Sequence, residues 1–115
     1  MIYVDNAATT KLSDTSLAAM IPYFQTEYGN PSSIHQAGER AATAMEEART
    51  TIAGLLGASP NEIYFTSGGT EADNWAIRSA AARGEKVGKR HIISSAIEHH
   101  AVLHTLSALE KQGFE

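Results

Sequence analysis

Apolar positions along the chain change their spacing several times, and each change marks an element. Residues 2 to 4 read as a short strand or extended arm, and Asp5 to Thr10 is a small polar run with neither period, hence a loop. Ser13 is placed to cap a helix whose apolar face is Leu17, Met20, Ile21 and Phe24, with Pro22 expected to kink it. Gly29-Asn30-Pro31-Ser32-Ser33 stops that helix, and Ser33 with Gln36 is predicted to form a capping box for the next. A long helix follows through Ala37, Ala41, Ala44, Met45, Ala48, Ile52, Leu55 and Leu56, with Gly57 at the position of a left-handed C-terminal cap.

Beyond the turn 58–61 the period shortens. Residues 62–66, aromatic and β-branched, predict a strand that Gly68-Gly69 breaks. A helix is predicted from about Thr70 to Arg83, with Ala72, Trp75, Ala76 and Ala80 facing inward, ending at Gly84. After the charged loop 85–90, residues 91–95 predict a second strand. Val102, Leu103, Leu106 and Leu109 then predict a helix closed by Gly113, with Phe114 and Glu115 as a strand onset. Strand, helix, strand, helix, strand onset is the pattern of a parallel sheet covered by helices, an α/β fold with too few strands to bury such a sheet on both faces. The chain therefore reads as truncated.

Composition narrows the chemistry. The 115 residues are 43% hydrophobic with a net charge of −4, and the nine Lys and Arg are scattered, so no basic field points to nucleic acid. No stretch is long and apolar enough for a membrane span, and the N-terminus lacks a leader pattern; a cytoplasmic location is expected. Without cysteine the chain offers neither a disulfide nor a thiol nucleophile.

Two segments carry candidate chemistry. In Thr66-Ser67-Gly68-Gly69-Thr70-Glu71, two glycines let the backbone bend sharply after a strand, so that amide N–H groups, the Thr70 hydroxyl and the positive end of a helix dipole converge on one anion. The same residues also suit an ordinary turn in which Thr70 only caps the helix. The segment matches neither a nucleoside-triphosphate loop nor a dinucleotide fingerprint. Glu98-His99-His100 falls at the carboxyl end of the second strand, on the edge where ligands of open α/β sheets collect; an imidazole there can stack on a ring or exchange protons, or simply cap a helix. His100 and His104 share a helical face but lack a third ligand, so no metal is expected. His35 reads as a turn residue and His91 carries no special signal. Lys11, Lys86, Lys89 and Lys111 lie in loops or near a helix end, where solvation opposes the lowered pKa that a Schiff-base lysine needs.

Four segments taken together resemble the N-terminal part of the cysteine desulfurases of the NifS and IscS type: Tyr3 to Thr10, Gly29 to Ser33 with His35 and Gly38, Phe65 to Asn74, and Ser95 to Val102. These are class V members of the pyridoxal-phosphate-dependent aminotransferase family. The resemblance implies a fold-type-I, three-layer α/β/α large domain with a mainly parallel sheet, of which residues 1–12 are an arm and loop and 13–115 the first part. It implies a sulfurtransferase converting L-cysteine to L-alanine, with the sulfur held as an enzyme persulfide for iron–sulfur cluster or thiocofactor assembly. Gly69 and Thr70 match the positions that grip the cofactor phosphate, and His99 matches the catalytic histidine that stacks on the pyridine ring and assists proton transfer. The loop 6–10 and turn 30–32 match borders of the active-site entrance. The family's Schiff-base lysine and catalytic cysteine lie downstream of the matched region, so this segment alone is expected to be inactive. A sulfur-acceptor or scaffold protein is the implied partner, and a homodimer the implied assembly. A selenocysteine lyase, another class V relative, and a non-catalytic anion-binding module are the competing readings.

Overall fold

The computed structural model describes residues 2–115, and among these it holds four α-helices, one 3-10 turn and no β-strand. The helices are α1 (Asp14–Gln25), α2 (Gln36–Leu56), α3 (Gly69–Glu85) and α4 (His100–Glu110), with the 3-10 turn at Pro60–Glu62. They fall into two compact units, which divide between Tyr64 and Phe65.

The first unit holds α1 and α2. Ser13 caps α1 as its hydroxyl accepts from the Ser16 N–H at 3.0 Å, and the helix runs through Pro22, ending three residues later. None of its residues is buried. The expected capping box on Ser33 is not formed. The cap of α2 is instead His35, whose Nδ1 accepts from the Gly38 N–H at 3.4 Å. Ser33 is occupied elsewhere: its N–H donates to the Asn30 carbonyl at 2.9 Å, while Asn30 Oδ1 takes the Ser32 N–H, also at 2.9 Å. This tight turn packs onto the start of α2 so closely that a Cβ on Gly38 would stand 2.2 Å from the Ser33 carbonyl oxygen. At the other end Gly57 takes the expected left-handed cap, φ 66°. The predicted apolar face is only partly used: Ala41 and Ala53 are buried, whereas Leu55 and Leu56 are exposed.

The second unit packs α3 against α4. Its core is Ala81, Leu109 and Phe114, with Ile77 and Ile92 against them. On α3 the buried side is therefore Asn74, Ile77 and Ala81 rather than the predicted Ala72, Trp75, Ala76 and Ala80, of which the three alanines are exposed and Trp75 is half exposed. Arg90 gathers the end of the chain. Its guanidinium pairs with Glu85, lies 5.5 Å from the Phe114 ring centroid and donates to the Gln112 and Gly113 carbonyls.

The strands expected at 62–66, 91–95 and the chain end are not formed. A turn falls where a turn was expected, with Pro60 at the first position of the 3-10 turn, and it takes in the first of the strand residues, Glu62. Ile63 beyond it has extended dihedrals, and its carbonyl accepts from Arg49 rather than from a neighbouring strand. At the second site one repeat of pairing does exist: Glu115 N–H donates to the Arg90 carbonyl at 2.8 Å and Ile92 N–H to the Glu115 carbonyl at 2.7 Å. Those two slanted bonds, flanking His91, have the pattern of a parallel pair. A ladder needs further partner backbone, and the described residues supply none.

Candidate functional site

The residues of the turn proposed from the sequence to bind an anion are set by three local bonds. Gly68 precedes the first turn of α3 with φ 158° and ψ −178°, a conformation open essentially to glycine alone. The Thr66 hydroxyl donates to the Gly68 carbonyl at 3.1 Å, and that carbonyl also accepts the Ala72 N–H at 3.1 Å. Glu71 reaches back to take the Ser67 N–H at 2.6 Å. The Ser67 N–H, and then its hydroxyl, hold the Glu71 carboxyl below the usual carboxylate range, against a weaker upward effect of burial.

These bonds decide which donors face an incoming anion. The Ser67 N–H is already used, so the groups that remain are the first-turn N–H groups of Gly69 and Thr70, which have no preceding helical carbonyl to bond, and the exposed Thr70 hydroxyl. The space before them is open: a Cβ built on Gly68 or Gly69 meets nothing within 4 Å. Helix α3 adds its dipole at the same end. The turn thus fits a phosphate of the kind carried by pyridoxal phosphate.

His99 occupies the N-cap of α4, its Nδ1 accepting from the Ala101 N–H at 3.1 Å. The capping role leaves the other ring nitrogen available, because a neutral ring bound at Nδ1 as an acceptor carries its proton on Nε2. His100 stacks on His104 with centroids 5.2 Å apart. Among the described residues no group of three or more acidic or histidine side chains is arranged to hold a metal, and no helix is long and apolar enough to cross a membrane.

The Thr70 backbone and the Ala101 backbone that His99 caps are tied together through two residues that periodicity did not single out. Asn74, one turn into α3, donates to the Thr70 carbonyl at 2.9 Å and to the Ala101 carbonyl at 3.4 Å. Thr105 places its single hydroxyl proton between Asn74 Oδ1 at 2.6 Å and the Ala101 carbonyl at 2.8 Å. A signal for both was present in the chain: Asn inside a helix competes with backbone bonding unless it is partnered, and Thr105 interrupts an apolar stripe. The loop 6–10 and the turn 30–32 belong to the other unit. In the loop, Tyr3 Oη lies 2.5 Å from Thr9 Oγ1, and Thr10 donates to the Asn6 carbonyl at 3.3 Å.

Comparison with known proteins gives concordant matches. The family model described as aminotransferase class-V matches residues 2–115. The cysteine desulfurase IscS of Methanosarcina thermophila is 54% identical over 114 residues, which cover 99% of this chain and 28% of that protein. A solved NifS-like protein superposes with a TM-score of 0.87 at 46% identity, covering 96% of this chain and 30% of the other. SspA, solved in complex with cysteine, gives a TM-score of 0.87 at 42% identity over 98% of this chain and 32% of its own. The chain thus spans under a third of the length of these relatives.

Proposed function

The chain belongs to the class-V aminotransferase family, and on that premise we propose that it is the N-terminal segment of a pyridoxal-phosphate-dependent cysteine desulfurase. The observation that carries this is the joining of the Gly69-Thr70 turn to the His99 cap through Asn74, which puts an anion cradle and a proton-exchanging imidazole on one rigid pair of helices. The relatives named desulfurases, and the cysteine complex of SspA, favour L-cysteine as substrate over selenocysteine or a non-catalytic anion ligand.

In this reading Gly69 N–H, Thr70 N–H and the Thr70 hydroxyl hold the phosphate, with the α3 dipole supporting its charge. His99 lies against the pyridine ring and moves protons through Nε2. When bound, the cofactor supplies an electron sink that weakens bonds at the substrate α-carbon. L-Alanine is the product, and the sulfur leaves as a persulfide on a cysteine, for transfer to an acceptor or scaffold protein in iron–sulfur cluster or thiocofactor assembly. A cytoplasmic homodimer, with residues 1–12 as an arm and 13–115 as the first part of a three-layer α/β/α domain, completes the proposal. The parallel bonding of His91's neighbours with Glu115 supports that arrangement.

The 115 residues contain no cysteine, so they cannot themselves carry a persulfide, and the segment alone is proposed to be inactive. The test is incubation with L-cysteine and pyridoxal phosphate. Sulfide and alanine at the free-cofactor background are expected from this chain, and cysteine-dependent turnover from the protein in which the chain is continued by a lysine and cysteine region. Turnover by the 115 residues alone, or a continued protein that ignores cysteine, overturns the proposal.

A further inference from the structure

We propose that Asn74 and Thr105 are positioning residues that set the phosphate turn and His99 relative to one another. The inference rests on the reading of Gly69, Thr70 and His99 given above, and goes beyond it by assigning a role to two side chains that touch neither phosphate nor ring.

The argument starts from hydrogen-bonding capacity. An asparagine amide has two donors and two acceptor sites. Asn74 uses all four: Nδ2 donates to Thr70 O and Ala101 O, while Oδ1 accepts from Thr105 Oγ1 and, at 3.4 Å, from Arg78 Nε. The two carbonyls fix the orientation of the amide, because a flipped side chain would set its own oxygen against both. Thr105 is only 2% exposed, and its hydroxyl bonds the same Ala101 whose N–H caps on His99.

One continuous path therefore runs from the Thr70 carbonyl through Asn74 to Ala101 and on to His99 Nδ1. Every bond in it joins backbone or a locked side chain, so a change at Thr105 reaches both ends. Water can replace the lost partners of fully exposed polar residues; Thr105 is buried and Asn74 half-buried, so losing their bond leaves a gap that shifts the helices or an unpaired group. The pair is also poorly suited to a purely stabilising role, as an apolar contact would seal the α3–α4 contact with fewer constraints.

The test uses the full protein carrying this chain, with three readouts: thermal unfolding, the ring 15N signals of His99 without cofactor, and affinity for pyridoxal phosphate. Thr105→Val removes the hydroxyl at nearly constant shape, and Thr105→Ser keeps it; Asn74→Ala removes the hub. Thr105→Val and Asn74→Ala are expected to shift the His99 Nδ1 signal and weaken pyridoxal phosphate binding by about three- to tenfold, the scale of one or two net hydrogen bonds. Thr105→Ser restores both. The proposal is overturned if Thr105→Val lowers the unfolding temperature while His99 and cofactor affinity match the parent. Should Asn74→Ala fail to fold, the Val and Ser pair decides. If the parent itself binds no pyridoxal phosphate, the functional reading fails, and the His99 signal still decides whether the two helix starts are coupled.

Discussion

Gly68 and Gly69 are neighbours with opposite requirements, and replacing each with alanine separates folding from binding. At Gly68 a Cβ meets no atom within 4 Å, so the penalty is confined to the backbone, which must hold φ 158° and ψ −178°. Such a conformation costs a non-glycine residue about 1–3 kcal/mol. At about 2 °C per kcal/mol or less for a full protein more than three times as long as this chain, Tm should fall on the order of 2–6 °C. At Gly69 the surroundings are also open, but the residue is already within α3, where alanine is favoured over glycine by about 0.5–1 kcal/mol. Gly69→Ala should therefore leave Tm unchanged or raise it slightly. In the proposed function a phosphate lies against the Gly69 and Thr70 N–H groups, where an added Cβ would crowd it. Hydrogen bonds to a charged partner are worth about 1.5–3 kcal/mol, so pyridoxal phosphate affinity should drop on the order of ten- to a hundredfold. Thermal unfolding and a cofactor titration, both on the full protein, measure the two effects. A Gly69→Ala variant that binds like the parent refutes the cradle, and a Gly68→Ala variant with the parent's Tm refutes the backbone argument.

Three further outcomes follow from the packing and the charges. Leu109→Ala should cost about 2–5 kcal/mol, because Leu109 is 5% exposed in the small core with Ala81 and Phe114; denaturant unfolding checks this. Gly38→Ala should lower the stability of the first unit, since its Cβ would stand 2.2 Å from Ser33 O and 2.7 Å from Asn30 O, both backbone atoms; thermal unfolding followed by far-UV circular dichroism reads the loss. The Glu71 carboxyl has its pKa lowered on folding, so its contribution is present above the ordinary value near 4.5 and disappears as pH falls through the lower folded value; an acid titration followed by Trp75 fluorescence should show this, and Glu71→Gln should abolish that part of the pH dependence.

The helices were legible because their signals are local. Ser13 and Gly57 state the ends of α1 and α2 in their own chemistry, and the Leu109 stripe faces the core as its spacing implies. Strand signals are different in kind. Residues 62–66 and 91–95 have the composition of strands, but a strand is completed only by backbone from elsewhere, and the described residues offer a single repeat beside His91. The buried face of α3 was misread for a related reason: alanine is small enough to suit several environments, so its recurrence at 72, 76 and 80 could not tell which side meets α4. At the site, the glycines and Thr70 announced themselves by residue type. His35 as a cap, and Asn74 with Thr105 as a hub, depend on partners 3 to 31 residues away; the chain marks Asn74 and Thr105 as unusual in their helices but not what they bond.

The paired backbone around His91 also bears on how the molecule must be handled. Glu115 bonds Arg90 through its N–H and Ile92 through its carbonyl, while Ile93 beside them stands 87% exposed, next to Ser94 and Ser95. An apolar segment with open amide and carbonyl groups is a template for whichever extended chain reaches it first, including a second molecule of the same kind. Self-association of the isolated chain through this segment would be concentration-dependent, so dilution would favour the monomer.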